Sequence, residues 1–285
     1  MQNLLKEKNW LLREKYGGIE TPEFFEDMKK LQAEEPIDYL IGFFDFLGCK
    51  IDLSYRPLIP RAETEWWVEK AVPVVLLPSL EGRLGGVEES TLSILDIFAG
   101  SGCIGIALLK HLPNATVDFG EKEPDYVAQI EKNLRLNGIE PKRAQVFTSD
   151  VFTNISPKKY NFIFANPPYI SHTKIEDVQK SVLDHEPRGA LFADDNGLLY
   201  IKKLLNEAPK FLAPNGKLFI EFDSWQKEEI ESYCQSASRR IDSVEFWKDQ
   251  FDRWRVVVCS LQKDLWYNER IKNQTNLSCK TKLFR

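Results

Sequence analysis

The tetrapeptide Asn166-Pro167-Pro168-Tyr169 follows the apolar run Asn161 to Ala165 and offers fixed hydrogen-bond acceptors to a planar nitrogen. Two consecutive prolines cannot continue a strand and hold the turn stiff. An amide or aromatic amine nitrogen is a poor nucleophile because its lone pair is delocalised into the π-system. Two acceptors set on its two N–H bonds, the Asn166 side-chain oxygen and the Pro167 carbonyl, would aim it at an electrophilic methyl group and favour a more tetrahedral nitrogen. Tyr169 would add an aromatic wall against a planar substrate or beside a sulfonium charge, where cation–π attraction is available. The plainer alternative is a Pro-Pro turn with a packed tyrosine.

Upstream, Asp96-Ile97-Phe98-Ala99-Gly100-Ser101-Gly102 lies between a strand-like and a helix-like segment. Gly100 and Gly102 let the backbone turn sharply and come close to a ligand, and the following helix offers free amide hydrogens to a nucleotide-type group. An ordinary tight turn can carry the same spacing. A carboxylate about 20 residues beyond such glycines can accept ribose hydroxyls. Glu121 is the candidate, with Asp118, inside the strand, and Glu123, nearer the next helix, as competitors. Asp150 ends the next strand, where it could accept an adenine amino group while the Val151 backbone donates to the ring; a capping Asp in a loop is the other reading.

These residues need a scaffold, and the chain reads as one. From Leu92 onward strands expected at 93–98, 115–119, 145–148, 161–165, 217–222 and 255–260 alternate with helices expected at 104–112, 124–136 and 197–212. That βαβα order predicts a doubly wound, mostly parallel sheet with helices on both faces. Right-handed crossovers then bring the loops after the first strands to one edge, where ligands bind. Residues 1 to about 50 read as short amphipathic helices, with Thr21 as N-cap and Pro22 at the first helical position. The stretch 52–60 reads as a linker, 77–90 as a surface loop, and 264–285 as a tail without periodicity.

Composition narrows the function classes. Apolar content of 43% and charged content of 28% suit a globular fold. The net charge of −5 argues against a chain whose main task is to coat nucleic acid. No run approaches a membrane span, and the charged N-terminus lacks a signal-peptide core. Five widely spaced cysteines without a CxxC pair predict free thiols in a reducing, cytoplasmic setting and no metal site. His111, His172 and His185 are scattered and read as surface or packing residues.

The set Asp96 to Gly102, Glu121, Asp150 and Asn166 to Tyr169 resembles the class I methyltransferases. Together with Tyr39 to Gly48, Leu58-Ile59-Pro60-Arg61-Ala62-Glu63-Thr64-Glu65 and His185-Glu186-Pro187-Arg188, it is similar to the HemK/PrmC family. The resemblance implies a seven-stranded Rossmann-like sheet with a small N-terminal helical domain, and S-adenosylmethionine as donor with S-adenosylhomocysteine as product. It implies that Phe98 to Gly102, Glu121, Asp150, Val151 and Asn166 bind the donor, and that Asn166 to Tyr169 hold the glutamine amide of the GGQ motif of a class I peptide chain release factor. The implied organisation is 1–55 for substrate recognition and linker, 56–263 for methyl transfer and 264–285 as tail. Departures are Glu121-Lys122-Glu123-Pro124 where Asp-Ile-Ser-Pro is usual, Ala62 in place of a proline, and a shorter N-terminal region than the family's five helices. The readings that stay open are a glutamine methyltransferase of a large-subunit ribosomal protein, an adenine-amino DNA methyltransferase and a catalytically idle binding module.

Overall fold

A computed structural model of the chain describes residues 2–84, 91–235 and 241–261. Helices α1 (Gln2–Tyr16), α2 (Pro22–Gln32) and α3 (Ile37–Ile41) come first. As the sequence predicts, the Thr21 side chain accepts from the Phe24 backbone N–H at the start of α2, and Pro22 occupies its first turn. Leu11, Phe24, Leu31, Ile37, Leu40 and Ile41 form a small core of their own.

The expected helical run to about residue 50 is interrupted. Gly42, at a φ of 94°, ends α3, and strands β1 (Phe43–Phe46) and β2 (Cys49–Asp52) form an antiparallel hairpin. Leu47 and Gly48, the two residues between the Phe46–Cys49 pair, both have positive φ (47° and 75°). A two-residue loop of that kind matches the right-handed twist of the flanking strands. Phe46, Cys49 and Ile51 are buried in the main core and not in that of the helices before them. Helix α4 (Ala62–Leu84) also runs further than expected, replacing the predicted loop as far as residue 84; residues 85–90 of that loop and the tail at 264–285 lie outside the described residues.

The remaining elements are β3 (Leu92–Ile97), α5 (Cys103–His111), β4 (Ala115–Glu121), α6 (Pro124–Leu136), β5 (Ala144–Thr148), β6 (Tyr160–Ala165), β7 (Ile170–Ser171), α7 (Lys180–His185), β8 (Phe192–Ala193), α8 (Leu199–Glu207), β9 (Leu212–Glu221), α9 (Lys227–Gln235), β10 (Ile241–Lys248) and β11 (Trp254–Leu261). The seven-stranded sheet has the order β10-β11-β9-β6-β3-β4-β5. Strands β9, β6, β3, β4 and β5 are parallel, β11 is antiparallel to β9, and β10 is antiparallel to β11.

Strand β3 is buried on both faces, with Ile94 in one apolar core and Leu95 and Ile97 in the other. This is the reason its apolar residues do not simply alternate with polar ones. The chain winds outward from β3 to β4 and β5, then returns to β6 on the other side of β3 and continues to β9. The direction therefore reverses between β3 and β6, and a crevice opens at their carboxyl ends. Strand β10 has no counterpart among the expected strands, because it lies at the sheet edge and alternates only weakly between buried and open positions.

Candidate active site

A cavity of ≈ 630 Å³ lies at that reversal, within the size range of small-molecule sites. Phe98, Ala99, Gly100 and Ser101 line it from the loop after β3, Glu121 from the end of β4, Asp150 and Val151 from the loop after β5, and Asn166 and Pro168 from the turn after β6. Residues nominated on separate stretches of sequence thus converge on one wall. Gly102 stands one step back as the residue before α5, with a φ of 79°; a Cβ there would crowd Ile106 and Ile130. Pro167 is buried, and neither it nor Tyr169 is among the residues lining the cavity.

Two of the nominated loops carry strained backbone. Phe98 and Val151 hold φ values of 60° and 53°, a region that disfavours a side-chain-bearing residue by about 1–2 kcal/mol. Such conformations persist where the surroundings enforce them, and they gather at ligand sites. Here both occur in loops on the cavity wall.

Placement separates the three acidic candidates only in part: Glu121 and Glu123 line the cavity and Asp118 does not. Asp118 is buried and engaged elsewhere, accepting from the Tyr160 hydroxyl at 2.7 Å and pairing with Lys158 at 2.9 Å. Glu121 is buried on the cavity wall, and its carboxylate accepts from the backbone N–H groups of Gly100 (2.7 Å), Lys122 (2.7 Å) and Glu123 (2.9 Å). A carboxylate has about four lone-pair positions, so one remains on Oε2 for a ligand hydroxyl. Burial raises its pKa, and the three backbone donors oppose the rise. Glu123 also lines the cavity, and exposed Asp150 sits 3.9 Å from the Lys122 ammonium. Below this wall, Asp96 accepts from the Gly105 N–H at 2.8 Å through Oδ2 and leaves Oδ1 buried without a partner. Burial, with the nearby Glu121 charge adding to it, pushes the Asp96 carboxyl up to about 8.

The Asn166 turn is braced by Thr64, from the Leu58 to Glu65 motif, and by Glu221, Trp67 and Gln226, which the motif reading did not single out. Register pairs Ala165 with Ile220, so Asn166 and Glu221 leave adjacent parallel strands side by side. Glu221 is buried and accepts from the Thr64 hydroxyl (2.7 Å) and the Trp67 indole N–H (2.7 Å) on Oε2, and from the Tyr169 hydroxyl (3.0 Å) on Oε1. The Asn166 Nδ2 donates to Thr64 Oγ1 at 3.4 Å. Behind the turn, the Gln226 Nε2 donates to the carbonyls of Tyr169 and Asn196, both at 3.0 Å. The sequence signal for Glu221 is a lone acid at the end of the apolar run Leu218-Phe219-Ile220, a position buried among strands and expensive for a charge without partners.

Arg61, from the Leu58 to Glu65 motif, lines the cavity and pairs at 2.6 Å with buried Glu186, which also accepts from the Ile59 N–H. The three histidines lie off the cavity wall. Among the described residues, no cluster of three or more His, Cys, Asp and Glu side chains could hold a metal ion.

The cavity suits an adenosyl amino acid by its donor and acceptor set: a glycine loop with approachable backbone, a buried carboxylate with one acceptor position left, and an open carboxylate further along the same edge. Comparison with known proteins agrees. A family described as "Methyltransferase small domain" matches residues 75–193. A "Release factor glutamine methyltransferase" of Streptococcus pneumoniae is 36% identical over 87% of this chain and 83% of its own length. One of Flavobacterium psychrophilum is 30% identical over 90% of this chain and 81% of its own length. A "Bifunctional methyltransferase" of Rickettsia felis is 32% identical over 87% of this chain, which spans about half (50%) of that relative's length. In fold, the chain is similar to the hMettl16 catalytic domain solved with an RNA hairpin, with a TM-score of 0.55 at 15% identity over 76% of this chain and 77% of that one. The motifs on the cavity wall, the sheet order and the extended identity to two release factor glutamine methyltransferases lead to one family: this chain belongs to the release factor glutamine methyltransferases, class I methyltransferases of the HemK/PrmC type.

Proposed function

We propose that this chain methylates the side-chain amide nitrogen of a protein glutamine, the GGQ glutamine of a class I peptide chain release factor, from S-adenosylmethionine. The observation that carries this reading is Asn166 on the cavity wall, with its amide nitrogen engaged by Thr64 and its oxygen left to accept from a ligand N–H. When bound, the donor supplies an electrophilic methyl group on a sulfonium. Phe98 to Gly102 receive its amino-acid end, Glu121 its ribose, and Asp150 with Val151 its adenine. Asn166 Oδ1 and the Pro167 carbonyl hold the two N–H bonds of the glutamine for in-line attack, while Pro168 and Tyr169 stiffen the turn that carries them. No general base is required of the scattered histidines, because the methylated nitrogen is strongly acidic and loses its proton to water. The helices within residues 1–55 serve substrate recognition and residues 56–263 the transfer, with no metal in the reaction. A cytoplasmic setting fits a substrate of translation, and the acidic net charge favours a protein over nucleic acid as the substrate.

The test is incubation with isotopically labelled donor and either a class I release factor or glutamine-bearing large-subunit ribosomal proteins, followed by mass-spectrometric location of the methyl group. Label on the GGQ glutamine is expected. Label only on a ribosomal protein, or on adenine in added DNA, would replace this reading by its rival.

A further inference from the structure

We propose that Thr64 is a positioning residue for methyl transfer, fixing through Glu221 which end of the Asn166 amide faces the substrate. The two ends of an asparagine amide are nearly identical in shape and opposite in hydrogen-bonding sense, so the turn by itself does not decide between them. A substrate N–H needs Oδ1. If Nδ2 pointed into the cavity, two donors would face each other.

The choice is made in the buried layer behind the turn. Thr64 has one hydroxyl proton, and Glu221 Oε2 receives it at 2.7 Å. Thr64 therefore shows only lone pairs to Asn166, and Nδ2 turns toward them at 3.4 Å. Glu221 keeps its accepting sense because the Trp67 indole, a donor only, occupies the same oxygen at 2.7 Å while the Tyr169 hydroxyl donates to the other. Were Thr64 to turn its proton to an inverted Asn166, the carboxylate would lose one of its three donors at a site that is 1% exposed. Thr64 is also 1% exposed, at the edge of the cavity. The polarity thus runs one way, from the Asn166 amide through the Thr64 hydroxyl to the Glu221 carboxylate.

The proposal rests on Asn166 as the residue that receives the glutamine amide, and the variants separate the two claims. Full-length wild type, Thr64→Val, Thr64→Ser and Asn166→Ala are compared by steady-state kinetics with labelled donor and a class I release factor, and by calorimetric donor binding. Thr64→Val keeps the shape without the hydroxyl. Its kcat should fall about 100-fold, the scale on which misplacing a reacting group by about 1 Å is felt. Its donor Kd and its KM for the release factor should stay within about threefold, and Thr64→Ser should recover most of the lost kcat. Should Thr64→Val fail to fold, as judged by thermal melting, Thr64→Ala replaces it with the same expected loss. A hydroxyl-free variant that turns over within about threefold of wild type, or a serine variant as slow as the valine one, overturns the proposal. If Asn166→Ala itself remained active, the reading of Asn166 would fail; an inactive Asn166→Ala beside an active Thr64→Val would fail Thr64 alone.

Discussion

Asp96 shows how a single side chain can link the loop after β3 to pH. Its carboxyl is buried, keeps one oxygen without a partner and is pushed up to about 8 by burial. The folded value lies above the unfolded one of about 3.9, so the native state binds this proton more tightly. The stabilisation from this group is complete below the unfolded value and is lost progressively as pH rises toward 8. Asp96→Asn, which keeps the shape and can still accept from the Gly105 N–H, removes that dependence. Thermal melts of both proteins from pH 4 to 8 should show wild type falling relative to the variant as pH rises; parallel curves would show that Asp96 is not the group responsible. Glu221, also shifted upward by burial, acts in the same direction in both proteins and cancels in the comparison.

At the scale of elements, the turn after β6 is held by contacts from segments distant in sequence. Gly197, just before α8, has a φ of 81°, and a Cβ there would overlap the Tyr169 carbonyl oxygen and crowd the Gln226 amide that bonds it. Gly197→Ala should therefore displace the turn and also disfavour the local backbone by about 1–2 kcal/mol. Turnover should drop by more than about tenfold with donor Kd little changed, since the donor loops leave β3, β4 and β5 and not this segment. Steady-state kinetics with calorimetry checks this, and unchanged turnover would show that the turn tolerates the shift. The sequence reading took Gly197 only as the start of a helix expected at 197–212. Gln226, the residue just before α9, ties the carbonyls of residues 169 and 196 together on either side of this approach.

Across the whole molecule, the hairpin β1–β2 is joined to the sheet through one face of α6. Gln129, Asn133 and Asn137 follow one another at helical spacing of four and meet the backbone of the hairpin and the segment after it. Asn137 exchanges hydrogen bonds with Lys50, Asn133 does so with Asp52, and Gln129 accepts from the Tyr55 N–H. Side-chain amides carry both a donor and an acceptor, and they satisfy a strand edge that would otherwise be left open. Asn133, fully buried, also donates to the Ser101 carbonyl in the loop after β3. Asn133→Ala leaves several buried backbone groups unpaired, each worth about 1–3 kcal/mol. We expect a loss on the order of 3 kcal/mol in urea unfolding together with weaker donor binding, because hairpin and loop loosen together. Loss of stability with unaltered donor affinity would confine Asn133 to the hairpin.

What the sequence by itself determined is whatever local chemistry enforces. The glycine loop, the acid at the end of β4, the stiff Asn-Pro-Pro-Tyr turn and the alternation of apolar strands with helices are written in short windows, and the cavity and sheet follow from them. That Glu121, and not Asp118, faces the cavity was legible from its place at the strand end. Only the tertiary structure decided the rest. The Leu47-Gly48 turn needs a left-handed leucine that local propensity disfavours and packing against the main core sustains. Edge strand β10 has too little burial to impose a pattern. The Asn166–Thr64–Glu221 chain joins residues separated by 102 and 157 positions. A buried carboxylate has to find its donors wherever the fold brings them, and no spacing rule along the chain records that meeting.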